Sequence, residues 1–128
     1  MDTHSIMQSQ RVIVKLGTST LTGGTKHLNR ERMLEVVQQI AHLYQAGHEI
    51  IVVSSGAQAA GRELLTLPEL SRSVPAKQML SAIGQSHLMR IYVDLFDIFQ
   101  ITVAQILLTR DDLSRRGRYL NARDTLQT

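Results

Sequence analysis

Two short runs carry residues suited to gripping an anion. The first is Lys15, Gly17, Thr18 and Ser19; the second is Ser54, Ser55, Gly56 and Ala57. Lys15 brings a full positive charge, and Thr18, Ser19 and Ser55 bring hydroxyl donors. Backbone N–H groups at Gly-containing turns and helix starts hold anionic oxygens. Gly17 and Gly56 are expected to supply backbone conformations and close approach that other residues deny. Such a set can clamp a phosphate beside a carboxylate, and phosphoryl transfer asks mainly for positioning and charge stabilisation rather than a nucleophilic side chain. Each run also has a plainer reading: a lysine at a strand end is most often solvated, and Ser-Ser-Gly is most often a turn with a helix cap. Their occurrence at equivalent strand-to-helix junctions gives the chemical reading equal weight, because open α/β sheets bind ligands beyond the carboxyl ends of their strands.

The elements that must hold these runs follow from pattern. Arg11 to Leu16 is β-branched and nearly continuous in apolar character, which predicts a strand buried on both faces. A polar, Gly-rich loop is expected through Gly23, Gly24 and Thr25. Asn29 suits an N-cap, with Glu31 in the first turn. Met33, Val36, Val37, Ile40, Leu43 and Tyr44 then recur at helical spacing up to a stop at Gly47. Glu49 to Val53 predicts the second strand, and Ser54-Ser55-Gly56 turns it into a helix that starts small, at Ala57, Ala59, Ala60 and Gly61. Leu64 and Leu65 end that helix, and Pro68 breaks the chain.

Pro75 suits the first turn of a long helix reaching Phe99, with an apolar stripe of Met79, Leu80, Ile83, Leu88, Ile91, Leu95 and Phe99. Ile101 to Leu108 predicts a third strand. Thr109 then caps a helix with Asp112 three residues on, interrupted near Gly117 and continuing to Leu126. Strands alternating with helices imply an α/β fold with a parallel sheet and right-handed crossovers.

Composition narrows the classes. The 128 residues amount to one domain by length, and 43% apolar content supports a core that 4% aromatic content makes aliphatic. The absence of cysteine excludes disulfides and Cys-based metal sites. His4, His27, His42, His48 and His87 are scattered without metal-ligand spacing, so they read as surface or core residues and no metal ligand is assigned. The opening MDTHSIMQSQ has neither a basic start nor an apolar run, so no signal peptide is expected; nor does any segment have the apolar length to span a bilayer. Cytoplasmic location and no membrane partner are the expectations. The net charge of +3 concentrates at Arg110, Arg115, Arg116, Arg118 and Arg123, interleaved with Asp111, Asp112 and Asp124. That mixture predicts a solvated helix face rather than a nucleic-acid stripe. Neither GxxxxGK[ST] nor GxGxxG is present, so a Walker loop and a dinucleotide fingerprint are both excluded.

VKLGTS at Val14–Ser19, SSGAQAAGRE at Ser54–Glu63, Lys77-Gln78 with Gly84-Gln85, QILLTR at Gln105–Arg110 and YLNARDTL at Tyr119–Leu126 follow one another in a recognisable order. From Arg11 onward the chain resembles the glutamate 5-kinases of the amino-acid kinase superfamily. The resemblance implies a three-layer α/β sandwich with a mainly parallel central sheet, residues 11–128 being its amino-terminal portion, incomplete at the carboxyl end, behind a flexible tail at 1–10. It implies ATP as cosubstrate, Mg²⁺, L-glutamate as acceptor, L-glutamyl 5-phosphate as the product that begins proline synthesis, and a homo-oligomer. By match, Lys15 contacts the transferred phosphate as the catalytic cation, Gly17, Thr18 and Ser19 line the ATP-phosphate loop, and Ser55, Gly56 and Ala57 contact glutamate. Ser54 departs from a commoner threonine and Gln58 from a commoner aliphatic. The family's adenine-binding half, a second phosphate-binding lysine and an aspartate with an asparagine-aspartate pair do not occur here. The chain alone is therefore expected to be inactive and to expose apolar sheet surface. The rival readings are another carboxylate or carbamate kinase of the superfamily, and a non-catalytic module binding phosphate or nucleic acid.

Overall fold

A computed structural model describes residues 10–66 and 72–128. The expected tail, His4 and the break at Pro68 lie outside or almost wholly outside these. The order is β1 (Arg11–Leu16), α1 (Thr18–Thr22), α2 (Arg30–Gln45), β2 (Glu49–Ser54), α3 (Ala57–Leu65), α4 (Val74–Asp97), α5 (Arg110–Ser114) and α6 (Arg116–Gln127).

β1 and β2 pair in parallel, with Arg11 opposite Glu49 and Leu16 opposite Ser54. The register is anchored at its start. The Glu49 N–H donates to the Gln10 carbonyl at 3.0 Å, the Gln10 N–H donates to Nδ1 of the buried His48 at 3.1 Å, and Arg11 meets Glu49 at 2.7 Å. Side chains alternate across a strand. Val12, Val14 and Leu16 therefore share one face with Ile50 and Val52, and Val14, Ile50 and Val52 pack on the core that Leu16 joins. The other face carries Ile13 and Val53, which are 67% and 51% exposed. The strand expected to be buried on both faces is thus covered on one only, because all the core-forming helices lie on the Leu16 side.

α2 begins where Asn29 accepts a hydrogen bond from the Arg32 N–H at 3.1 Å, with Glu31 in the first turn, as its sequence predicts. Met33, Val37, Ile40 and Ala41 are its buried side, whereas Leu43 and Tyr44 turn outward. α4 begins at Ser73 and Val74 with Pro75 in its first turn. Its buried row is Leu80, Gly84, Leu88, Tyr92 and Phe96, each four residues from the last, with Ile91 alongside. Met79, expected in that stripe, is exposed, and Leu95 and Phe99 are partly buried at its end. α3 lies along the Leu80–Leu88 stretch of the row so closely that a Cβ at Gly84 would overlap the Ala57 carbonyl oxygen, and a Cβ at Gly61 the Leu80 carbonyl oxygen. Small residues at the start of α3 are what permit this approach.

Two further expectations fail. The loop after Gly17 contains the short helix α1, closed by Gly23 at φ 65°. Ile101–Leu108 forms no strand. Ile101 and Val103 still pack against the core, but Ile101–Ala104 stand across a cavity of about 240 Å³ from Ile50, Val52 and Ser54 instead of bonding to the edge of β2. A strand exists through its ladder, and a segment that leaves the free edge of β2 unpaired stays irregular. The final helical stretch is divided at Arg115, whose φ of −95° and ψ of 122° are extended, two residues before the expected break. Thr109 and Asp112 do form the expected capping box.

Candidate functional site

The parallel register places the two chemically suggestive turns side by side. Leu16 lies opposite Ser54, so β1 and β2 end level, and the Ser55 N–H donates to the Leu16 carbonyl at 2.9 Å. Gly17 follows on one strand and Gly56 on the other. Leu21 of α1 is wholly buried and reaches under the second turn: a Cβ at Gly56 would stand 3.0 Å from Leu21 Cδ1. α1 is held in turn by α2, through the Asn29 N–H to the Leu21 carbonyl at 2.8 Å and Arg32 Nε to the Thr20 carbonyl at 3.2 Å.

Gly17 is the N-cap residue of α1, its carbonyl accepting from Thr20 and Leu21. The N–H groups of Thr18 and Ser19 open the helix and have no intrahelical carbonyl to meet. Both side chains are exposed, as are those of Ser55 and Lys15. Lys15 stands on the uncovered sheet face, and among the described residues no carboxylate forms an ion pair with it. The edge therefore presents a cation, hydroxyls and unpaired helix-start donors, a set complementary to anionic oxygens. It contains no carboxylate. It fits phosphate or carboxylate oxygens and does not by itself fit Mg²⁺, which takes oxygen ligands. Among the described residues no group of three or more His, Asp or Glu is placed to hold a metal ion.

The two glycines differ. Gly56 has φ 107°, a conformation that side chains resist, and Leu21 crowds its missing Cβ, with Leu28 and Leu88 at contact distance beyond. Gly17 has φ −76°, open to any residue, and a Cβ there would meet nothing within 4 Å. The backbone freedom expected of Gly17 is not used; its N-cap position needs only extended backbone. Thr109 is occupied with Asp112 in the capping box, and the Asp112 carboxyl is held low by the Thr109 N–H and hydroxyl.

Two groups around the site escape an apolar-stripe reading. The Tyr92 hydroxyl lies 2.6 Å from Ser54 Oγ, and burial pushes the phenol's pKa up. Glu63 Oε2 accepts from Arg30 Nη2 at 2.9 Å and lies 3.1 Å from His87 Nε2, joining α2, α3 and α4. Partial burial draws the Glu63 carboxyl up, but the hydrogen bonds and charges of Arg30 and His87 outweigh it and hold the pKa below its ordinary value. Glu63 ends the SSGAQAAGRE run; the sequence signal at Tyr92 is its four-residue spacing from Leu88. Three of the five late arginines meet nearby aspartates: Arg115 with Asp111 at 3.8 Å, Arg118 with Asp112 at 3.7 Å and Arg123 with Asp124 at 3.0 Å. That is the solvated mixed-charge face their spacing predicts.

The fold is thus a two-stranded parallel sheet whose level strand ends bring a lysine, hydroxyls and helix-start N–H groups to one edge. The chain belongs to the Amino acid kinase family, whose profile matches residues 10–128. It is 57% identical over 120 residues to the glutamate 5-kinase of Aliivibrio salmonicida (strain LFI1238), covering 94% of this chain and 32% of that protein. The glutamate 5-kinases of Escherichia coli O1:K1 / APEC and Enterobacter sp. (strain 638) are each 55% identical over 119 residues, again covering 93% of this chain and 32% of theirs. The chain thus spans about a third of the length of the curated relatives it matches. Among the described residues no helix is long and apolar enough to cross a membrane.

Proposed function

We propose that this chain supplies the strand-end anion site of an ATP-dependent glutamate 5-kinase. The enzyme would phosphorylate the side-chain carboxylate of L-glutamate in the cytoplasm, for proline synthesis, as a homo-oligomer. The observation that carries the reading is the level ending of β1 and β2, with Ser55 N–H bonded to the Leu16 carbonyl. It sets the Gly17–Ser19 turn beside the Ser55–Ala57 turn in a chain 57% identical to a protein of that name.

The reaction brings two anions together, so it needs fixed positive charge and oriented donors rather than a protein nucleophile. Lys15 neutralises the γ-phosphoryl group, while Gly17, Thr18 and Ser19 hold its oxygens through N–H and hydroxyl donors. Ser55, with the backbone of Gly56 and Ala57, orients the acceptor carboxylate. A carboxylate oxygen forms the new bond to the γ-phosphorus, and the bond from that phosphorus to the bridging oxygen breaks. Its electron pair leaves with ADP.

The test is hydroxylamine trapping of glutamyl phosphate with ATP and L-glutamate. It is run on the chain by itself and on the chain joined to the remaining two thirds of the Aliivibrio relative. Hydroxamate from the joined protein, lost in Lys15→Ala, supports the reading; none from a folded joined protein overturns it.

A further inference from the structure

The hydroxyl of Tyr92 stands at one end of a short relay into the Ser55–Ala57 turn. Ser54 Oγ donates to the Ser55 carbonyl oxygen at 2.9 Å. A serine hydroxyl has one hydrogen to give, so toward Tyr92, 2.6 Å away, Ser54 Oγ is the acceptor and the phenol is the donor. The order is Tyr92 O–H to Ser54 Oγ, then Ser54 O–H to the Ser55 carbonyl. The peptide joining Ser55 to Gly56 is planar and trans, so its C=O and N–H point in opposite directions. Fixing the Ser55 carbonyl on Ser54 therefore fixes the Gly56 N–H facing the other way.

Glycine leaves that peptide a genuine alternative. Gly56 holds φ 107°, and a peptide flip would carry it to the ordinary negative region, which glycine adopts as readily. The relay opposes the flip. Its support is the buried row of α4, which runs along the turn: Tyr92 at Ser54, Leu88 against Gly56 and Gly84 against Ala57. Only Tyr92 in that row carries a polar group, and its ring lies against Phe96 with centroids 6.4 Å apart.

We propose that Tyr92 is a positioning residue for the acceptor site, acting through Ser54 to aim the Gly56 N–H at the substrate carboxylate. This rests on the glutamate kinase reading above. It goes beyond the residues assigned there, because Tyr92 touches neither turn's ligand.

The experiment compares Tyr92→Phe, Ser54→Ala and Ser54→Thr with the unsubstituted protein, using two readouts. In the chain itself, ¹⁵N NMR follows the Gly56 amide without any ligand. In the joined protein, KM for L-glutamate is measured beside KM for ATP. Tyr92→Phe and Ser54→Ala are expected to broaden or split the Gly56 resonance and raise KM for glutamate about three- to tenfold, the scale of one hydrogen bond. KM for ATP stays unchanged, and Ser54→Thr, which keeps the hydroxyl, restores both readouts. A loss of structure alone would move both KM values together. An unshifted Gly56 resonance with unchanged KM for glutamate in both Tyr92→Phe and Ser54→Ala overturns the inference and leaves the kinase reading standing. Absence of glutamate-dependent turnover in the unsubstituted joined protein overturns the kinase reading, and the inference with it.

Discussion

Gly84 of α4 sits against the Ala57 carbonyl oxygen at the first residue of α3, with no room between them for a Cβ. This contact, with Gly61 against Leu80, sets the distance between the two helices and thereby the height of the turn that precedes α3. Gly84→Ala is expected to destabilise the chain by about 1–3 kcal/mol or more, because backbone cannot yield as a flexible side chain can. Denaturant unfolding followed by circular dichroism reads this as a lower midpoint. An unchanged midpoint would mean that the helices separate freely and do not set the turn.

The two site glycines are expected to separate stability from function. Gly56→Ala forces φ 107° on a side chain and pushes Leu21, at a cost of about 1–2 kcal/mol from the backbone alone. Gly17→Ala meets no atom within 4 Å at φ −76° and should leave stability within about 0.5 kcal/mol of the parent. If the phosphate turn is where the proposed function puts it, Gly17→Ala still raises KM for ATP in the joined protein. A Gly17→Ala variant normal in both respects would remove Gly17 from the phosphate site.

What the sequence made legible was local. The bounds of β1, the Asn29 cap, Pro75 in the first turn and the Thr109–Asp112 box each depend on a few neighbouring residues, and all appear where their chemistry puts them. The pairing of the two turns was legible too, because parallel strands joined by a helix end on the same side. The rest depends on partners. Ile101–Leu108 has the composition of a strand, but it forms no ladder with the free edge of β2. α1 is a polar Thr-Ser-Thr run made helical by burying Leu21. Gly84 was legible as a place for close contact in the middle of the long helix, and that is how it meets α3. Tyr92 was not, because counting apolar residues at helical spacing skips a phenol, although it lies on the same row.

The Glu63 cluster predicts a pH dependence with a definite sign. Its folded pKa lies below the ordinary 4.5. The unfolded chain therefore binds the proton more readily, and the stability that Glu63 adds is present above 4.5 and lost as pH falls through the folded value. Arg30 and Glu63 are both partly solvated, which limits the effect to about 0.5–1 kcal/mol near neutrality. Glu63→Gln should be less stable than the parent by that amount at pH 7, and the two unfolding midpoints should converge in acid. A gap that is constant with pH would assign the effect to packing rather than charge.

The open face of the sheet makes the final prediction. Ile13, 67% exposed, and Val53, 51% exposed, lie on the same face of adjoining strands, with nothing from the described helices over them. Apolar surface of this kind drives self-association, and a strand with an unpaired edge beside it adds a template for it. Replacing Ile13 by threonine keeps a β-branched side chain for the strand and takes nothing from the core, so stability should change by no more than about 0.5 kcal/mol. Concentration-dependent light scattering should fall. If Ile13→Thr lowers stability while scattering is unchanged, Ile13 is packed in solution and this face is not open.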